Sequence, residues 1–184
     1  MKLPQIATFI VFAIMFSCNK EVDPYLITDQ SIGLLTDSTQ VKELKEIFGS
    51  DSIVNYSDGE EFTRDFNNID VYSKEGEKLL TLTPKILGDS TSVIESVQIF
   101  SPKFKTDKAI TSQSSFKDIS DNYKITKINN IINNLVLSVD ELNASFTIDK
   151  EELPSNLRFN MDLNIEKSQI PDKAKIKHFF VYWN

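Results

Sequence analysis

Two stretches of the chain carry the same order of apolar and polar positions. Leu35 to Phe48 (LTDSTQVKELKEIF) and Ile110 to Tyr123 (ITSQSSFKDISDNY) align without a gap, 75 positions apart. Val41, Leu44 and Phe48 in the first match Phe116, Ile119 and Tyr123 in the second, the i, i+3, i+7 spacing of one helix face. Lys42-Glu43 and Lys117-Asp118 fall on the opposite, solvent side. Hydroxyl residues stand before each run as N-caps, and Ser115 with Asp118 has the spacing of a capping box. Gly49 follows the first run where a helix commonly ends on glycine. The pattern predicts two short helices, over about 39–48 and 115–123.

After each predicted helix the period changes from helical to alternating. Ile69 to Tyr72 and Leu79 to Thr83 flank Lys74-Glu75-Gly76-Glu77, a hairpin with its glycine in the turn, and Val93 to Phe100 is a third strand. In the second half Leu135 to Val139 and Ala144 to Ile148 flank Asp140-Glu141-Leu142-Asn143, again a hairpin. Arg158 to Ile165 alternates Phe159, Met161, Leu163 and Ile165, the pattern of a half-buried strand. Ile94 to Phe100 and Ile176 to Tyr182 close their halves 82 positions apart, so the second half carries a small insertion. The reading is an α+β chain of two tandem units, each a short helix packed on an antiparallel β-sheet, over residues 31–105 and 106–184. The helix-then-strands arrangement, with Thr36 to Gly49 in the form T-x-x-T-x-V-x-x-L-x-x-x-F-G, resembles the tandem-repeat family of the beta-lactamase inhibitory protein. It is also similar to the helix-then-hairpin module of small outer-membrane assembly lipoproteins. The resemblance implies the fold over residues 31–184. The inhibitor's disulfides have no counterpart here, and the resemblance places no inhibitory residue.

Residues 1–17 do not belong to that pattern. Lys2 precedes a nearly all-apolar run from Ile6 to Phe16, and a polar tract begins at Ser17. The run is short of the roughly 20 apolar residues that span a bilayer, and fits the apolar part of a secretory signal peptide. The chain's one cysteine, Cys18, stands where such a peptide would be cut. Met15-Phe16-Ser17-Cys18 resembles a lipobox, with Met15 in place of the usual leucine. Lipidation at Cys18 is the site expected from the sequence, with residues 18–30 as a lipidated tether. Several acyl chains at about 0.8 kcal/mol per buried methylene would hold the chain on a membrane permanently. Asn19-Lys20-Glu21-Val22-Asp23 is similar to the lysine-plus-acid signal that sends some lipoproteins to the outer face of the outer membrane, and the chain has the general look of surface lipoproteins that carry it. The expected location is therefore the cell outer membrane, lipid-anchored; these residues read either as the signal for surface exposure or as an ordinary charged tether that leaves the leaflet open.

Charge narrows the partners. The chain has 20 basic and 27 acidic residues. Without residues 1–17 it loses only Lys2, leaving 19 against 27, a net charge of −8. Such a surface gives no support for nucleic-acid binding and would be repelled by anionic headgroups, so the lipid and not the surface would make the membrane contact. Thirteen Phe, with the Ile, Leu and Val of the repeated pattern, suffice for a core.

Catalytic signals are thin. His178 is the single histidine and lies in an apolar strand, where a half-exposed strand residue is the expectation. One histidine and no free thiol leave too few ligands for zinc. The acid clusters Asp58-Gly59-Glu60-Glu61 and Asp149-Lys150-Glu151-Glu152 lack the spacing of a calcium loop and read as solvated turns, the second a helical turn after a strand. Five glycines include no phosphate loop. In the C-terminal strand Phe179 and Val181 face one side, and His178, Phe180 and Tyr182 the other. One row is core. The other is a binding surface or is covered by a helix of the other unit, the second being the expectation. Asn129 to Asn134 reads as a loop or helix end. The sequence thus predicts a non-enzymatic binding or structural module of the envelope, with no cofactor and with an envelope protein or glycan as partner. The alternative is an envelope hydrolase that uses carboxylates only, which would show as a pair of acids with perturbed pKa values.

Overall fold

The structure, a computed structural model, describes residues 23–49, 51–55 and 68–183. Cys18 and its surroundings, and the cluster Asp58–Glu61, lie outside the described residues. The chain is α+β, mostly strands with two short helices. It begins with three two-residue strands, β1 (Leu26–Ile27), β2 (Ser31–Ile32) and β3 (Leu35–Thr36). The expected tether therefore stops short of residue 30, because Ile27 is buried in this sheet. Gly33 turns β2 into β3 at φ +58°, and a Cβ there would lie 2.1 Å from the Pro24 carbonyl oxygen. Only glycine permits that backbone crossing.

A 3-10 turn, Val41–Glu43, leads into α1 (Leu44–Phe48), followed by β4 (Ser52–Asn55), β5 (Ile69–Tyr72), β6 (Lys78–Pro84) and β7 (Ile94–Ile99). β8 (Lys105–Thr106) pairs in parallel with β1 and completes a small sheet ordered β3-β2-β1-β8. Then come α2 (Phe116–Asn122), β9 (Lys127–Asn130), β10 (Asn134–Val139), β11 (Ala144–Asp149) and β12 (Ile176–Tyr182). The large sheet is antiparallel throughout, in the order β4-β5-β6-β7-β12-β11-β10-β9.

In chain order α1 precedes β4–β7 and α2 precedes β9–β12, each of these strands after the first pairs with its predecessor, and β7 and β12 meet in the middle of the sheet. The local bonds follow the same offsets. The Val41 N–H donates to the Ser92 carbonyl (3.0 Å) and the Phe116 N–H to that of Ala174 (2.8 Å). The Lys42 N–H donates to Ser90 (2.9 Å) and the Lys117 N–H to Asp172 (3.0 Å). Donors lie 75 apart and acceptors 82 apart, the two spacings read from the sequence. The ladder slips past Glu95 between β6 and β7 and past Lys177 between β11 and β12, again 82 apart. Before each helix a main-chain N–H is received by a carboxylate three residues on, Gln40 by Glu43 (2.8 Å) and Ser115 by Asp118 (2.7 Å). At the central junction Gln98 pairs with Phe180, its own counterpart at the 82 spacing.

One hydrophobic cluster joins the helices to the sheet: Leu44 of α1, Phe116 and Ile119 of α2, Leu80 and Val97 from the first half, Phe146 and Phe179 from the second. Phe146 and Phe179 are opposite each other in register with ring centroids 4.4 Å apart. Each large side chain so buried contributes about 1.5–3 kcal/mol. The two helices are not equal. Phe116, Ile119 and Tyr123 are all buried, whereas of Val41, Leu44 and Phe48 only Leu44 is. The first helix opens as a 3-10 turn, whose three residues per turn rotate Val41 off the stripe.

Two sequence expectations fail here. Arg158–Ile165 is not a strand: a 3-10 turn, Ser155–Leu157, precedes an irregular stretch in which Phe159 is 89% and Met161 53% exposed. Alternation makes a strand only where a neighbour completes the ladder, and this stretch is held instead by the burial of Ile165 and by side-chain bonds, those of Asn130 above all. The Asn130 amide donates to the carbonyls of Asn160 (3.0 Å), Met161 (3.3 Å) and Leu163 (2.9 Å). Asn129–Asn134, expected as a loop or helix end, is a hairpin whose Asn129 and Asn130 lie in β9 and whose Asn134 opens β10.

Candidate binding face of the central sheet

The pleat divides the large sheet into two faces. Val97 opposite Val181 and Ile99 opposite Phe179 lie in the core. The alternate positions point the other way, and register carries one row across seven strands: Asp70, Thr81, Gln98, Phe180, Ser145, Ser138 and Lys127. Among the described residues no helix covers this face, against the expectation. The helices pack on the core side with Val97 and Phe179, while Tyr182 is 40% and Phe100 37% exposed, and His178 and Phe180 are half-buried.

Aromatic rings run along β12 on this face. Phe180 and Tyr182 stack at 6.0 Å with their planes 16° apart, and His178 lies 6.2 Å from Phe180. The Tyr182 and Ser145 hydroxyls are 3.0 Å apart. Gln98 Nε2 is 3.1 Å from His178 Nδ1, so the amide donates to an unprotonated Nδ1 and the ring proton sits on Nε2. Burial, and then the Lys177 ammonium, lower the His178 pKa, which favours this neutral ring. An amide therefore holds the histidine where a Ser-His-Asp device needs a carboxylate.

The first-half side of the face carries a buried acid that the sequence did not single out. Asp70 accepts from Thr81 Oγ1 (2.5 Å), Lys78 Nζ (2.9 Å) and the Tyr72 hydroxyl (3.3 Å). Lys78 Nζ also stands 4.5 Å from the centroid of Phe100. With three donors on it, Asp70 is engaged on both oxygens and fixes Lys78 and Tyr72 in place. Its signal in the sequence was the polar alternate of an apolar strand, Ile69-Asp70-Val71, which is also the signal of an ordinary solvent-facing residue. Thr81, Ser145 and Thr147 are buried on this face by their neighbours alone. The result is a close-packed polar and aromatic surface.

The remaining candidates separate. Asp149 caps the 3-10 turn Lys150–Glu152, accepting from the Glu151 N–H (3.0 Å) and from Lys177 Nζ (2.8 Å). These bonds, in that order, hold its carboxyl below its ordinary pKa. The expectation of a helical turn after a strand holds there. Among the described residues no group of three or more His, Cys, Asp or Glu side chains could hold a metal ion, and no helix is long and apolar enough to cross a membrane.

Neither a protein-family model nor a curated protein matches the chain. Among solved structures, the uncharacterized protein YfeY from Escherichia coli has a similar fold. Its TM-score is 0.53 over 85% of this chain and 98% of YfeY, at 13% sequence identity. At that identity the likeness concerns the fold alone.

Proposed function

We propose that this chain is a lipid-anchored binding module of the cell envelope. It is built from two tandem helix-plus-sheet units in the manner of the beta-lactamase inhibitory protein family, and it meets an envelope protein or glycan with the open face of its central sheet. The observation that carries the reading is the Phe180–Tyr182 stack beside His178 and Gln98, set in the middle of an uncovered face whose polar side chains already bond one another. A surface ordered before binding loses little freedom on association, and rigid aromatic rings supply contact area at low entropic cost. Bonds repeated at the 75 and 82 offsets, and the pairing of Gln98 with its own counterpart Phe180, support the duplication. Cys18, at the polar edge of an apolar run, supports the anchor. The hydrolase alternative needs an acid held above its ordinary pKa, and Asp149 is held below.

The test is a photo-reactive side chain at position 182 in intact cells, with position 74, in the exposed β5–β6 turn, as control. A discrete adduct at 182 that Phe180→Ala abolishes and that position 74 never forms is the expected result. Equal capture at both positions, or none at 182, sinks the reading. Whole-cell protease treatment checks the address: the chain should be cleaved, and Lys20→Ala with Glu21→Ala should protect it.

A further inference from the structure

The connection from β11 to β12 spans residues 150–175, while its counterpart from β6 to β7 spans only 85–93. The longer connection walls a cleft of about 620 Å³ in the second half. Three cations line it, Lys150, Arg158 and Lys177, against two acids, Asp149 and Glu151. That balance is positive in a chain of net charge −7. Lys177 is already paired with Asp149 at 2.8 Å, which removes one charge of each sign. Arg158 spends its Nε on the Leu153 carbonyl at 2.7 Å, which fixes the guanidinium in place.

Lys150 is the unusual member. It is 3% exposed, and its Nζ is buried without a hydrogen-bond acceptor among the described residues. A buried ammonium with no acceptor is costly, and an anion within reach would relieve that cost. Beside these charges stand the two most exposed large apolar side chains of the described residues, Phe159 and Ile132, together with Met161. Phe159 is 89%, Ile132 71% and Met161 53% exposed, all lining the same cleft. Water-facing apolar groups clustered next to a buried cation suit one kind of ligand.

We propose that this cleft binds a single-chain anionic amphiphile, its phosphate or carboxylate head held by Lys150 and Arg158 and its apolar chain laid over Phe159, Ile132 and Met161. The volume lies in the range of small-molecule sites, roughly 300–1,000 Å³. The cleft uses none of Gln98, His178, Phe180 and Tyr182, and neither reading depends on the other.

Titration calorimetry on residues 19–184, below the critical micelle concentration, tests it. Dodecyl phosphate and dodecanoate are the probes, with dodecyl maltoside and inorganic phosphate as the headgroup and tail controls. One saturable site per chain is expected for at least one of the two anionic probes. Lys150→Met should weaken it about tenfold or more, as should loss of the anionic head. Phe159→Ser, at a fully water-facing position, should weaken it without touching the fold. Lys150→Met preserves volume and removes a buried charge, so circular dichroism should show it folded. No saturation with either anion overturns the proposal. So does unchanged affinity in Lys150→Met, inorganic phosphate binding as tightly as dodecyl phosphate, or binding only to anionic vesicles.

Discussion

Cutting back one buried side chain on each helix measures whether the two halves fold as one body. Leu44 of α1 is 2% exposed and Ile119 of α2 is fully buried, and both belong to one cluster with Val97 and Phe179. Leu or Ile to Ala in such a site costs about 2–5 kcal/mol, the transfer term plus the cavity left behind. α1 has Leu44 as its one buried residue, so its surroundings can collapse and the cost should fall in the lower half of that range. Ile119 is flanked by buried Phe116 and Tyr123, which keep its cavity open, so its cost should fall in the upper half. Lys117 is 55% exposed and pairs with Asp121 at 3.2 Å in solvent, so Lys117→Ala should leave stability nearly unchanged. Urea unfolding followed by circular dichroism reads these as midpoints. With a slope of about 2 kcal/mol per molar, Ile119→Ala should lower the midpoint by about 1.8–2.5 M. Each variant should still show a single transition, because β7 pairs with β12 and the cluster is continuous. Two separated transitions, or an Ile119→Ala midpoint no lower than that of Lys117→Ala, would refute the reasoning.

Cys18→Ala should abolish incorporation of a palmitate analogue during metabolic labelling, and label retained in the variant ends the lipoprotein proposal. His178 should titrate below 6.5 when its ring is followed by proton NMR, since burial and Lys177 both favour the neutral form. The unfolded chain then takes up the proton first as pH falls, so stability is full above about 6.5 and is lost from there toward the folded pKa. His178→Gln should remove that part of the pH slope. Gly33→Ala should destabilise by more than about 1 kcal/mol, because a positive φ and a 2.1 Å approach to Pro24 both oppose a Cβ. Thermal melts measure it.

The strands of the large sheet were legible wherever apolar side chains on the core face alternate with polar ones on the other. β5, β6, β7, β10, β11 and β12 show that alternation of residue type, because the pleat turns successive side chains to opposite faces. The two-residue strands β1, β2, β3 and β8 are too short to show a period, and β4 and β9 sit at the sheet edges. Arg158–Ile165 shows the converse error, since alternation without a ladder partner built no strand. The candidate binding face was only half legible. Its aromatic row on β12 was read from the parity of His178, Phe180 and Tyr182, but that row was expected under a helix. Which side of a two-sided strand the helices choose depends on contacts far apart in sequence. The buried Lys150 was hidden for a related reason, as it stood inside an acidic run that reads as solvated turn.

The pairing of β7 with β12 allows a sharper test of the duplication than superposition. Gln98 opposes Phe180, Val97 opposes Val181 and Ile99 opposes Phe179. At the 82 offset the counterparts of Val97, Gln98 and Ile99 are Phe179, Phe180 and Val181. Gln98 therefore faces its own counterpart, and Val97 and Ile99 each face the counterpart of the other, about an axis through Gln98 and Phe180. The junction has the form of a two-fold contact between like strands. A second half made alone, residues 106–184, would carry β12 as a bare edge, with its ladder groups and one flank of Phe179 and Val181 uncovered. A second copy can cover them in the same register, Phe180 opposite Phe180 and Phe179 opposite Val181. The fragment should therefore be a folded dimer by analytical ultracentrifugation and circular dichroism. Phe180→Pro, which removes a main-chain donor and fixes φ at the centre of that contact, should leave it monomeric or unfolded. A fragment that is folded and monomeric, or unfolded at every concentration, would mean that the two halves only look alike.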